Sequence, residues 1–252
     1  MIKMKFSGRT GNILLENIGI SIISKKFNLK PYNYSEVESF NALGLKLHFG
    51  EREVNNINQV TDDGYIYSNP DIFNMQKIGE IGKCLSLLEI LDRDHIDFGI
   101  EYEGFFQIKE FIIKYKEEIL EHFSLNYKSG FENKIFVHVR LGDVEHRNPG
   151  YEYYKKCLSE INFTDGFISS DSLDHKIVKD IIKDFGLKPF HGSPVDTINF
   201  AKNFNNLVLS QGTFSWWIGF LSKSKNIYFP KGLDNNWHGD IFVFDNWKGI
   251  DY

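Results

Sequence analysis

Cysteine is scarce in this chain, two residues in 252, which removes a disulfide framework as the basis of its stability. Cys84 and Cys157 each sit in a pattern that reads as a helix face, so both are expected as buried free thiols in a reducing, cytoplasmic compartment. Long apolar runs are missing too. None approaches the ~18–20 residues that span a bilayer, and the opening MIKMKFSGRTGN has no signal-peptide core. Positive charge is not in excess, with 29 Lys and Arg against 34 Asp and Glu. The resulting net charge of −5 argues against nucleic acid or an anionic membrane surface as the main partner. No Cys/His cluster has zinc-site spacing, no Gly-x-Ser-x-Gly elbow marks a hydrolase, and no internal repeat appears. What the chain does have is apolar and aromatic residues, 42% and 15% of the total, enough for one large core or two small ones.

The opening reads as a βα unit. Residues 2–7 form a strand, GRTGN a glycine loop, and ILLENIGISIISKKF a helix with Leu14, Ile18 and Ile22 on one face. NLKPYNY is a second strand, placed near a sheet edge by Pro31. Residues 36–90 carry turn signals at 62–64 and at Asn69 and Pro70, and one helix around 75–90. DFGIEYEGFFQ is a strand leaving into a loop. IKEFIIKYKEEILEHF is one amphipathic helix with Ile108, Phe111, Ile112, Tyr115, Ile119 and Phe123 on its buried side. From Ile135 the alternation is regular. Strands IFVHV, DGFISSD, LKPFHG, NLVLS and NIYFP are separated by helices YEYYKKCLSEI, LDHKIVKDIIKDFG, VDTINFAKNF and TFSWWIGFLSKS. The pattern predicts an α/β fold with a parallel sheet. The polar stretch LNYKSGFEN divides an N-terminal lobe, 1–128, from a C-terminal lobe, 129–252. Trp237 and Trp247 lie in a tail without clear period, which is expected to pack back on the N-terminal lobe.

In an open parallel sheet, ligands bind beyond the carboxyl ends of the strands. Three polar clusters fall at such ends: residues 140–143, 169–171 and 210–215. Arg140 ends its strand on a cation. Thr213 reads as the N-cap of the following helix, with Ser215 in its first turn, and Gly212 lets a backbone approach closely. A guanidinium beside a helix N-terminus makes a diphosphate clamp. The same segment also reads as an ordinary capped helix with Phe214, Trp216 and Trp217 in a core. Asp171 reads equally as an acceptor for a guanine edge or ribose hydroxyls and as an N-cap before a helix starting near Asp174. His138 reads as a hydrogen-bonded core histidine. GRTGN offers a glycine loop without dinucleotide or P-loop spacing. Asp92 and Asp94 in LDRDH form an Asp-x-Asp pair, the kind that holds a metal in some glycosyltransferases, but no nucleotide-binding unit surrounds it.

Taken together, these segments resemble the α-1,2-fucosyltransferases. GRTGNILLENIGISIISKKF is similar to that family's Gly-x-Gly-Asn loop and helix, YEGFFQIKEFI to its GYFQSEKYF-type segment, and VHVRLGDV to its HxRRGDY motif. NPGYEYYKKCL, FISSDS and LVLSQGTFSWWIGFL follow in the family's order, as does IYFPK near the end. The resemblance implies a GT-B-like fold, two Rossmann-like lobes facing across a donor/acceptor cleft. It implies an inverting, metal-independent transfer of L-fucose from GDP-β-L-fucose to an acceptor glycan, with O2 the favoured hydroxyl. The donor and the glycan are then the partners, and no cofactor is required. Position by position, Arg140 would clamp the diphosphate, Asp171 would contact the nucleoside, and Thr213, Phe214 and Ser215 would bind phosphate from the helix start. His138 stands in the same motif and counts with the donor-binding residues, and Gly11 and Asn12 would face the donor from the N-terminal lobe. Asp143 and Glu145, with His146 third, are the candidate bases for the acceptor hydroxyl, although Asp143 equally serves to orient Arg140. The chain departs from the family at Leu141, where the motif has a second arginine, at Val144, and at 211–213, where Gln-Gly-Thr replaces Asn-Ser-Thr. These departures leave open another nucleotide sugar as donor, or a glycan-binding protein without turnover.

Overall fold

The structure is a computed structural model that describes residues 1–33, 38–67, 80–231 and 241–252. The turn expected at Asn69 and Pro70, residues 75–79 of the expected helix, and Trp237 lie outside the described residues. The chain forms two compact units, one built on Met1–Ser124, the other on residues 125–231 and Phe242–Tyr252.

In the first unit the elements are β1 (Ile2–Met4), α1 (Thr10–Phe27), β2 (Ile57–Thr61), β3 (Tyr65–Tyr67), β4 (Glu80–Lys83), β5 (Leu85–Ser86), α2 (Leu87–Leu91), β6 (Gly99–Glu103), α3 (Lys109–Lys114) and α4 (Lys116–Glu121). Four strands make a parallel sheet in the order β1-β6-β2-β5, and β3 and β4 pair antiparallel. Within its described residues, 80–90, the helix expected near 75–90 is corrected to α2. Ser86 and Glu89 form a reciprocal capping box, Ser86 Oγ accepting from the Glu89 N–H at 3.3 Å and Glu89 Oε2 from the Ser86 N–H at 2.7 Å, which starts the helix at Leu87. Cys84 accordingly lies between two strands, half-buried, not on a helix face; Cys157 is buried, and both are free thiols. The expected strand around Pro31 reduces to single bridges, Ile2 to Pro31 and Leu29 to Arg52, because proline donates nothing to a ladder. The expected single helix 108–123 is broken at Tyr115 (φ −106°, ψ 15°). Hydrogen bonds run across the break, from Tyr115 N–H to Phe111 O and from Ile119 N–H to Tyr115 O, so Phe111, Ile112 and Ile119 stay buried together.

The second unit runs β7 (Lys134–Val139), α5 (Tyr151–Glu160), β8 (Asp165–Ser170), α6 (Lys176–Phe185), β9 (Lys188–Pro189), α7 (Pro194–Ala201), β10 (Asn206–Val208), α8 (Thr213–Phe220), β11 (Asn226–Lys231) and β12 (Trp247–Asp251). All six strands are parallel, in the order β9-β8-β7-β10-β11-β12. That is the doubly wound order 3-2-1-4-5-6, whose direction of winding reverses between its first and fourth strands. Here those strands are β7 and β10. Trp247 opens β12 and pairs with Ile227 of β11, so the tail from residue 247 completes the second unit's sheet. Alternation along β7 separates two surfaces. Ile135, Val137, Val139 and then Leu141 join a core with Tyr153, Tyr154 and Cys157 of α5 and Val178 and Ile181 of α6. Phe136 packs on the opposite side among Phe200, Phe204 and Phe190. Among the described residues no helix is long and apolar enough to cross a membrane.

Candidate functional site

In doubly wound sheets ligands bind at the carboxyl ends of the strands that flank such a reversal, here β7 and β10. His138 and Arg140 project there from the face of β7 opposite Leu141. Arg140 is ion-paired to Asp143 in the following turn and to Asp171 just past β8. Asp171 also accepts the Leu141 N–H at 2.9 Å. The Arg140 carbonyl is held by Asn148 Nδ2 at 2.8 Å. Gly142 makes this packing feasible: its φ is +43°, and a Cβ there would lie 2.6 Å from Asp171 Oδ2. Asp171 therefore is not the N-cap of α6. That cap is His175, whose Nδ1 accepts from the Ile177 N–H at 3.3 Å.

Buried His138 is hydrogen-bonded through Nδ1 to Ser215 Oγ at 2.6 Å, and the Phe214 ring stands edge-on to the imidazole, centroids 5.2 Å apart. Burial, and then the charge of Arg140, push the imidazole pKa down to about 3, so His138 is neutral at physiological pH. A Ser–His pair at a helix start suggests a nucleophile and its base. Two facts oppose that role: so weak a base draws no proton from serine at neutral pH, and Ser215 is fully buried. The pair instead fastens the first turn of α8 to β7.

Thr213, expected as the N-cap, is the first helical residue, and Gly212 caps α8 with φ +98° and ψ 158°. That backbone conformation favours glycine. A Cβ on Gly212 would meet nothing within 4 Å, so there is open space beside the helix start. No side chain caps α8 and no acidic residue stands in its first turn. The first intrahelical bond runs from Trp216 N–H to Gly212 O, 3.0 Å, and the N–H groups of Phe214 and Ser215 have no acceptor within the helix. Just before the cap, Gln211 is buried with neither side-chain oxygen nor nitrogen hydrogen-bonded, which is rare in folded proteins.

The structure thus brings His138, Arg140, Asp143, Asp171, Thr213, Phe214 and Ser215 to one end of one sheet. Glu145 is elsewhere engaged, its Oε1 3.1 Å from His175 Nε2, and His146 is exposed. Gly11 and Asn12 belong to the first unit, at the start of α1, where Asn12 Oδ1 accepts from Gln107 Nε2 at 3.1 Å. Asp92 caps the C-terminus of α2 and accepts from Lys114 Nζ at 2.7 Å. Among the described residues no three His, Cys, Asp or Glu side chains gather as a metal site. Asn148, whose signal was only its place in a polar loop, and Tyr153, whose hydroxyl donates to Leu209 O at 2.7 Å, support the strand ends and were not singled out by sequence.

The first unit has its own buried polar centre. Asp62, just past β2, accepts the N–H groups of Phe105 and Phe106 at 2.7 and 3.1 Å, and the Tyr102 hydroxyl donates to it. Phe106 has φ +58° and stacks on Tyr102, centroids 4.1 Å apart. Glu16 of α1 is fully buried and accepts the Ser7 N–H at 3.3 Å. Burial raises its pKa to about 8; the Ser7 contact opposes this and the Asp62 charge adds to it.

Leu141 separates packing from chemistry at the strand end. It is 1% exposed, so Leu141→Ala is expected to cost about 2–5 kcal/mol in a urea melt. If Arg140 binds an anion, that affinity per folded molecule should remain within about twofold of wild type, equivalent to roughly 0.4 kcal/mol. A larger loss of binding would show that Leu141 itself acts on the anion.

The chain matches no protein-family model, no curated protein and no solved structure.

Proposed function

We propose that this chain is an inverting glycosyltransferase of GT-B-like fold that transfers L-fucose from GDP-β-L-fucose to a glycan hydroxyl, O2 being favoured. The observation that carries the reading is Arg140 at the β7/β10 reversal, beside a helix start with no acidic residue and no side-chain cap. Departure of a nucleoside diphosphate puts charge on the β-phosphate, and fixed cations and N–H donors aimed at that charge are usually the largest catalytic term. In this reading Arg140 and the first turn of α8 supply them. A phosphate takes the place of one carboxylate on Arg140. Asp143, with its side chain about half exposed, is the one that yields. Once displaced from Arg140, it is positioned to take a proton from the acceptor hydroxyl. Asp171, tied also to the Leu141 N–H, keeps the guanidinium oriented.

Donor screening by thermal melts tests this. GDP and GDP-fucose should stabilise the chain while UDP, UMP and NAD do not; at 100 times its Kd a true ligand adds about 2.7 kcal/mol. GDP release in the presence of glycan acceptors should survive excess EDTA, since Arg140 and the helix start neutralise the diphosphate. Stabilisation by UDP-sugars alone would replace the donor. Glycan binding without any GDP release would make the chain a binding protein. Loss of activity in EDTA with recovery in Mn²⁺ would bring Asp92 and Asp94 back as metal ligands.

A further inference from the structure

At the opposite end of the second unit's sheet, in the segments that lead into the amino ends of β7, β10 and β11, stand three lysines, Lys128, Lys202 and Lys223. Lys202 follows α7 as its C-cap and is only 4% exposed. Its ammonium stands over the Tyr127 ring, 5.8 Å from the centroid. Among the described residues it has no carboxylate partner and no hydrogen-bond acceptor. The neighbouring backbone is tightly tied. Lys128 N–H donates to Asn203 Oδ1 at 2.6 Å, Lys223 Nζ to Lys128 O at 2.9 Å, and Lys223 N–H to Lys202 O at 3.1 Å. Exposed Glu132 accepts the Gly130 N–H at 3.2 Å, and backbone N–H contacts, then the charges of Lys223 and Lys134, hold its carboxyl below the usual range. Burial, and then the charge of Lys128, hold the Lys202 ammonium below the usual lysine range. Buried charges are paired as a rule, because desolvation otherwise opposes them.

We infer that Lys128, Lys202 and Lys223 form a second anion site, for a phosphate group. Three ammonium groups on flexible stems act as separate point charges. A dianion with several oxygens can engage all of them, whereas one carboxylate offers two. The site is distinct from the strand ends at Arg140, because β7 alone separates the two ends of the sheet by about 20 Å. It does not depend on the proposed transfer reaction. The phosphate could be free or carried on a lipid headgroup.

Calorimetric titration of the full chain with inorganic pyrophosphate distinguishes this site from the strand ends at Arg140. A binding event lost by at least about tenfold in Lys202→Met, and kept in Arg140→Lys, is the expected result. Methionine keeps the buried stem and removes the charge, and a melt of the variant checks the fold; Lys223→Ala, at an exposed position, should weaken the same event. Sedimentation with phosphatidylcholine vesicles containing phosphatidic acid, abolished by Lys202→Met, would assign the phosphate to a headgroup. Pyrophosphate binding without sedimentation would assign it to a soluble ligand. If Lys202→Met binds pyrophosphate and vesicles like wild type, or if neither protein binds either probe, the inference is wrong.

Discussion

In the proposed transfer reaction, replacing Arg140 with lysine is expected to lower kcat/KM for the donor by at least ~10²-fold, the scale of losing one oxyanion donor. Stability should stay within about 1 kcal/mol of wild type. Charge is conserved, so the effect isolates geometry. The guanidinium is a planar fork that can meet two acceptors at once, and in the structure it is paired with Asp143 and Asp171. Lysine presents one compact charge on a flexible stem and lacks the planar fork that meets Asp171 and two phosphate oxygens in fixed geometry. The backbone it stands on is fixed by the Asn148 contact to its carbonyl and by sheet register with β8, which keeps the fold intact in the variant. Activity per folded molecule that is unchanged in Arg140→Lys would make this arginine a strand-end ion pair and nothing more.

Wild type should lose stability relative to Glu16→Gln as pH rises from about 5 to 8; buried, neutral His138 works in the opposite sense and does so equally in both proteins. Glu16 has a folded pKa of about 8 against 4.5 for the free side chain. Its raised pKa means the folded state keeps a proton that the unfolded chain releases. The contribution is therefore fully present below 4.5, is lost progressively as pH climbs, and is exhausted above about 8. At about 1.4 kcal/mol per pKa unit, the shift bounds the effect at roughly 5 kcal/mol. Glutamine keeps an acceptor for the Ser7 N–H and carries no charge. Denaturant melts of both proteins across this range give the comparison. Parallel pH profiles for variant and wild type would show that Glu16 ionises freely where it sits.

The alternation from β7 to β11 was legible because each element there is short, apolar on a regular period and bounded by turn residues. Gly186 ends α6 in the left-handed conformation, φ +65°. Strand β2 was not legible: Asn58 and Gln59 sit at its middle, and it acquires its identity from pairing with β6 and β5. Strand β12 was missed for a related reason. Trp247 and Ile250 are its buried residues, three apart, which is no strand period; register with β11 defines it. At the site, residue types at strand ends pointed to Arg140 and the start of α8. The pairing of Arg140 with Asp171 spans 31 residues of chain and depends on β7 and β8 lying side by side. Glu16 gave no sequence signal, since a carboxylate on a helix is ordinarily exposed and only the folded unit buries it, and Asp62 signalled only a turn.

The place of β12 has a consequence for any shortened form of the chain. One edge of the sheet, β9, is two residues long and ends on Pro189, which offers little for another strand to dock on. The other edge is β12, which carries exposed Lys248 and Asp251, charges of the kind that discourage strand addition. Deleting residues 247–251 would uncover β11, with Ile227, Tyr228, Phe229 and Pro230 buried in the intact fold. Its unpaired backbone groups would form a template for edge-to-edge association between molecules. The last strand thus shields the sheet from self-association as well as completing its order.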